Sequence, residues 1–169
     1  MGDIFIEHLV KKKPDSMQLL AKISIIAGFL LICFAGFIFL FNFLPIIIVV
    51  AGFAAFYGIS FFNIEYEYSF TNGELDIDRI YSKSRRKRVF TAEIKNFEVM
   101  CHASDKSSDS IFNQATTKMD CSTGETNANT YKFFINNRGI KTQIIFQPNE
   151  EMLNAFRPYL GSSKLKINK

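Results

Sequence analysis

From Ile23 to Phe62 the chain carries no charged side chain, while charge is spread along nearly all the rest. Such a run is too long for one core helix. At about 1.5 Å per residue it would extend to about 60 Å, whereas a bilayer core of about 30 Å is crossed by about 20 apolar residues. Two spans with a tight turn resolve this. Asn42-Phe43-Leu44-Pro45 supplies the turn, since Asn favours turns and Pro suits the first turn of a following helix. The expected helices are 23–41 and 45–62. Ala51 and Ala55 are four apart, as are Ala54 and Gly58, so these small residues are candidates for close helix packing within the hairpin.

After Phe62 the pattern becomes alternating. Ile64, Tyr66, Tyr68 and Phe70 alternate with Glu65, Glu67 and Ser69, which predicts a strand with one wet face. Asn72-Gly73 is a two-residue hairpin signal. Leu75 and Ile77 resume the alternation, opposite a solvent face of Glu74, Asp76 and Asp78, and a change of phase at Arg79-Ile80 suggests a bulge. A basic turn at Ser82–Lys87 leads to strands near 88–91 and 94–101, the latter with Phe97, Val99 and Cys101 on one face. Residues 103–129 read as a long loop, with a strand possible near 116–121. Strands follow at Tyr131–Ile135 and Ile140–Phe146, joined by Asn137-Arg138-Gly139. Asn149 can cap a short helix with the apolar stripe Met152, Leu153, Phe156 and Leu160. Residues 3–13 are read either as a short interfacial helix or as a frayed tail, and 162–169 as a loose basic tail.

Charge sets the expected orientation. Lys11, Lys12, Lys13 and Lys22 precede the apolar run, Arg79, Lys83, Arg85, Arg86, Lys87 and Arg88 follow it, and the central turn has none. Basic flanks favour the cytoplasm, so a two-span cell-membrane protein with both termini cytoplasmic is expected. A cleaved signal peptide fits poorly because the apolar run far exceeds a signal core. Ile6 stands where a myristoylation signal needs Ser or Thr. The net charge of +4 is modest and points away from nucleic acid, toward a membrane surface.

Catalysis finds no constellation. Cys33, Cys101 and Cys121 have no paired spacing, and His8 and His102 stand alone. Cys101 lacks a neighbouring base and reads as a small strand residue. No phosphate-binding glycine loop or nucleophile elbow is present. No catalytic residue, metal or cofactor is therefore expected. The strongest candidate site is the run Lys83, Arg85, Arg86, Lys87 and Arg88, read as a contact for anionic lipid or as a solvated topology signal.

Six or seven short antiparallel strands closed by one amphipathic helix resemble a pleckstrin-homology-like (PH-like) barrel, a fold in which the helix plugs one open end. Tyr66 to Asp78 resembles the opening hairpin of PH-like domains found behind membrane helices in bacterial proteins. Phe146-Gln-Pro-Asn-Glu-Glu-Met-Leu resembles their last strand and helix. The whole chain is similar to a family of small bacterial two-span proteins known only as a domain of unknown function. The similarity rests on Met-Gly-Asp-Ile-Phe-Ile-Glu at the start, the Asp120-Cys-Ser-Thr-Gly turn and Pro148-Asn-Glu-Glu-Met-Leu. This resemblance implies a fold and no activity. Eukaryotic PH domains bind headgroups through the loop between their first two strands, whereas the basic run here lies in a later loop.

The expected organisation is an N-terminal segment, 1–22, a transmembrane hairpin, 23–62, a mainly β (α+β) PH-like domain, 63–161, with its long loop at 103–129, and the tail, 162–169. The expected role is a non-enzymatic, membrane-anchored module that binds a protein partner or anionic lipid. The alternatives are an accessory subunit held through its spans and a membrane-tethered enzyme.

Overall fold

The computed structural model describes residues 4–137 and 139–161, and the backbone of 165–166. The chain forms two units: a helical one, Pro14–Ile64 with Tyr81–Arg85, and a β unit made of the other described residues.

In the helical unit, α1 spans Ser16–Phe39 and α2 spans Leu44–Ser60, joined by a 3-10 turn at Phe41–Phe43. Both helices are long and apolar enough to cross a membrane. α1 starts earlier than the apolar run predicts. Asp15 caps it by accepting from the Ser16 N–H at 2.8 Å, and its first two turns carry the polar Ser16, Gln18 and Lys22. The helix ends where the Leu40 N–H reaches the Gly36 carbonyl at 2.9 Å. Close packing depends on Gly36, where an added Cβ would lie 2.9 Å from Ile47 Cδ1, and on Gly58, where it would lie 3.4 Å from Ile25 Cδ1. Ala51 and Ala55 share this half-buried side of α2. Ala54 does not. It is exposed, because residues 51, 55 and 58 lie on one helical face and residue 54 is rotated off it.

The β unit holds two sheets. The first has the order β1 (Phe5–Lys11), β2 (Ile64–Thr71), β3 (Glu74–Tyr81), β4 (Arg85–Glu93). In the second, β5 (Phe97–His102), β7 (Tyr131–Asn137) and β8 (Ile140–Phe146) are antiparallel. β6 (Thr117–Asp120) adds in parallel beside β8, and β9 (Leu165–Lys166) in parallel beside β5.

Asn72 and Gly73 make the hairpin turn at φ 47° and 100°, as a primed turn requires. A Cβ on Gly73 would meet the Tyr159 ring at 2.6 Å, so this turn is closed on both conformational and steric grounds. The helix α4 (Glu150–Phe156) begins at Asn149, whose side chain accepts from the Met152 N–H at 2.8 Å. Its Met152 and Phe156, with Leu160 beyond, are buried, and Leu153 is half-buried. Phe156 meets Phe70 of the first sheet at 5.0 Å between ring centroids and Phe146 of the second at 6.3 Å. Phe146 in turn meets Phe133, which stacks on Phe97 at 4.0 Å. The plugging helix expected from the stripe is therefore present, in a PH-like α+β fold.

Several expectations change. Residues 5–11 are neither a helix nor a frayed tail: they form β1, paired with β2 from Phe5↔Thr71 to Lys11↔Glu65. Ile6 and Val10 are buried with a period of two, a pattern that five apolar residues in a short segment leave ambiguous. The segment 1–22 thus divides between the two units, and the β domain does not begin at 63. The basic turn is only Ser82–Ser84, and β4 starts at Arg85. Asp78 is buried rather than solvent-facing. Segment 103–129 contains α3 (Asp109–Phe112) as well as β6. Phe112 packs with Val99, Cys101 and Phe134 in a second apolar cluster. The tail contributes β9, while its other residues lie outside the described residues.

Candidate functional site

The basic run is divided by strand alternation. Along β4, Arg86 and Arg88 turn to carboxylates of β2 and β3. Arg86 pairs with Glu67 at 2.5 Å, and Arg88 pairs with Asp76 at 3.0 Å and with Asp78 at 3.1 Å. The hydrogen bond to Asp78, with the nearby charges of Asp76 and Asp78, raises the Arg88 pKa above its ordinary value. These two arginines are structural cross-links of the first sheet. Lys83, Arg85 and Lys87 are exposed and form no ion pair among the described residues.

The turn that carries Lys83 is fixed within the helical unit. Ser82 and Lys83 take left-handed backbone angles, φ 48° and 59°. The Ser82 N–H donates to the Asn63 carbonyl at 2.9 Å, and its hydroxyl donates to the Ser60 carbonyl. The Ser60 carbonyl at the end of α2, which has no partner within the helix, and the Asn63 carbonyl just beyond it thereby hold the 81–85 turn beside the helix terminus. Tyr57 and Phe61 form an edge-to-face pair there, at 4.9 Å. Lys22, on the first turns of the antiparallel α1, belongs to the same end of the hairpin, whereas the Leu40–Phe43 end carries no charge.

Of the groups that could suggest chemistry, Tyr68, His102 and Asp120 bond to nearby backbone, and Cys33, Cys101 and Cys121 are free thiols. Burial pushes the Cys121 thiol up to about 12, far from a nucleophile's range. The Tyr68 hydroxyl donates to the Cys121 carbonyl at 2.6 Å and accepts from the Gln147 N–H at 3.2 Å, and burial drives its pKa far up. The Gln147 side chain donates to the Glu125 carbonyl and to Thr130 Oγ1, each at 2.8 Å. His102 Nε2 lies 3.1 Å from the Asn127 carbonyl and 3.2 Å from that of Ala128, which makes it the donor nitrogen, while Nδ1 meets Ser104 Oγ at 2.6 Å. Asp120 accepts from both the N–H and the hydroxyl of Ser122, so the Asp120–Gly124 turn is a local clasp. No group of three or more metal-ligating side chains occurs among the described residues.

Sequence reasoning also missed an ion pair with a buried lysine. Lys132 is buried on β7, and its ammonium reaches Asp109 at 2.8 Å and lies 4.6 Å from the Phe112 ring centroid. This ties α3 to the second sheet. The signal was the Lys132–Phe134 alternation opposite Tyr131 and Phe133, which marks a strand covered on both faces.

Comparisons with curated proteins and with solved structures find no match. A family model described as "Bacterial PH-like domain (DUF6106)" matches residues 2–166. With both helices and both sheets inside the matched region, the chain belongs to this bacterial PH-like domain family of unknown function.

Proposed function

We propose that the protein is a membrane-anchored, non-enzymatic binding module. In this reading α1 and α2 cross the cell membrane as a hairpin, both ends emerge on the cytoplasmic side, and Lys83 and Arg85 meet anionic lipid headgroups. One observation carries the lipid contact: the Ser82 hydrogen bonds to Ser60 and Asn63 hold two unpaired basic residues against the end of an apolar helix. A helix that crosses the bilayer must end near the headgroups, where each basic residue gains about 1 kcal/mol from an anionic leaflet. The Tyr57–Phe61 pair suits the same depth, since aromatic rings favour the interface. Lys22 adds charge at that end, and none lies at the other, which supports the orientation. The non-enzymatic reading draws on Asp105, Asp120, Asn127 and Thr130, whose side chains accept from nearby backbone N–H groups.

The test places a fluorophore on a Ser84→Cys variant, with the three native cysteines replaced, and reconstitutes the full chain in nanodiscs containing a headgroup-nitroxide lipid. Quenching should rise when phosphatidylserine replaces phosphatidylcholine, and it should fall with salt as the Debye length drops to about 3 Å at 1 M. The Lys83→Ala/Arg85→Ala variant should show no such rise. Equal quenching in neutral and anionic discs refutes the lipid contact.

A further inference from the structure

We propose that the outer edge of β1, which pairs with no strand among the described residues, is a docking site for an extended segment of a partner protein, paired antiparallel to β1. This inference is independent of the lipid contact at Lys83 and Arg85. It starts from the direction of backbone groups. The Asn72 N–H donates to the Ile4 carbonyl at 3.2 Å, so residue 4 bonds toward β2. Bonded and non-bonded pairs alternate in an antiparallel ladder. In the observed register, Ile6, His8 and Val10 therefore bond to β2, while Phe5, Glu7, Leu9 and Lys11 turn their N–H and C=O groups to the open side. Lys13 continues the second series, and its N–H points away from β2, to the Thr123 carbonyl at 2.8 Å. Thr123 thus occupies the first rung of a ladder on the outer side of β1. The rungs at Lys11, Leu9, Glu7 and Phe5 follow in line.

A groove of about 430 Å³ lies beside the Lys11 and Leu9 rungs, lined by Leu9, Lys11, Thr123, Asn127, Gln147 and Asn149 among others. Its volume lies in the range of ligand sites, about 300–1,000 Å³. The other sheet edges are poorer templates. β4 opens with four consecutive basic residues, β6 has four residues and β9 has two. β1 has seven, with no Pro and no break in its register with β2. Protein edges of this kind are normally short, bulged or blocked, because they recruit strands.

The side chains define the partner's chemistry. Phe5, Glu7, Leu9 and Lys11 share the exposed face, with Phe5 61% and Leu9 51% exposed. Directly opposed pairs decide strand preference. The antiparallel segment therefore presents, in chain order, an acid opposite Lys11, an apolar residue opposite Leu9, a base opposite Glu7 and an apolar residue opposite Phe5. Its alternate residues face the groove, whose Asn127, Gln147 and Asn149 amides suit small polar side chains.

The experiment uses the full chain in detergent micelles and a synthetic peptide, Thr-Asp-Ser-Val-Ser-Lys-Thr-Val-Thr, with residue-resolved amide hydrogen exchange. The peptide should slow exchange at Glu7, Leu9 and Lys11 by at least about tenfold, leaving Ile6, His8 and Val10, already bonded to β2, unchanged. Leu9→Pro removes an outward N–H but no β1–β2 bond, so it should keep the protection at Ile6 and His8 and abolish the peptide effect. Glu7→Lys should lose this peptide and recover binding to one with Glu in place of its Lys. The proposal is overturned if the peptide adds no protection, or if a scrambled peptide of the same composition protects equally. It is also overturned if the three amides are protected without peptide in proportion to protein concentration, which would assign the edge to a second copy of the chain.

Discussion

Phe156→Ala tests whether α4 is the plug that joins the two sheets. The ring is fully buried, with 0% exposure, and touches Phe70 on one sheet and Phe146 on the other. Losing the transfer free energy of a buried aromatic side chain costs about 1.5–3 kcal/mol. Rings from both sheets border the vacated space, so collapse from one side would strain the other. A residual cavity of about 80 Å³ adds about 2 kcal/mol at about 24 cal/mol per Å³. The expected destabilisation is therefore about 3–5 kcal/mol, the usual range for a buried Phe→Ala. The assay is urea unfolding of the full chain in detergent, followed by tyrosine near-UV circular dichroism. Tyr66 and Tyr68 lie in the same core, and the chain has no Trp to obscure them. A loss under about 1 kcal/mol would show that the helix does not close the core despite its ring contacts.

Two further outcomes follow from the electrostatics. Arg88→Ala leaves the buried Asp78 without its charged donor and should cost about 1–3 kcal/mol. The exposed, unpaired Lys83→Ala should stay within about 0.5 kcal/mol in the same urea titration; equal effects would remove the distinction between cross-linking and free basic residues. Burial lowers the His8 pKa below its ordinary 6.5, so the unfolded chain binds a proton more readily than the folded one. Stability from this group is full above pH 6.5 and declines as pH falls from there toward the folded value. His8→Gln should flatten that part of the stability–pH curve, and a variant that keeps the slope would assign it to another group.

Elements whose partners are close in sequence, or whose signal is a long run, were legible from residue order. The Ile23–Phe62 run specified two helices because a single helix of that length would extend to about 60 Å. Asn72-Gly73 specified the β2–β3 hairpin through its left-handed φ angles, and Met152, Phe156 and Leu160 specified α4 by their spacing. The candidate site was legible as a cluster of positive charge and no further. Which of its arginines are free depends on Glu67, Asp76 and Asp78, carboxylates on other strands that only the sheet brings into range.

The remaining assignments belong to tertiary structure for the same physical reason. β1 becomes a strand through its ladder with residues some sixty positions away, and its local pattern of Ile6, Leu9 and Val10 serves a helix almost as well. Arg85–Lys87 reads as a turn until carboxylates on other strands make charged strand positions favourable. Segment 103–129 reads as loop because its backbone finds partners outside itself: the Asn127 N–H donates to Thr130 Oγ1, the Thr123 N–H donates to Gln147 Oε1, and the Thr123 carbonyl accepts from the Lys13 N–H. Residue order by itself determined the apolar run, the first hairpin and the plugging helix. Long-range pairing decided where β1 sits, which basic residues remain unpaired and which sheet edge stays open, because each depends on a contact whose energy exists only once both partners are in place.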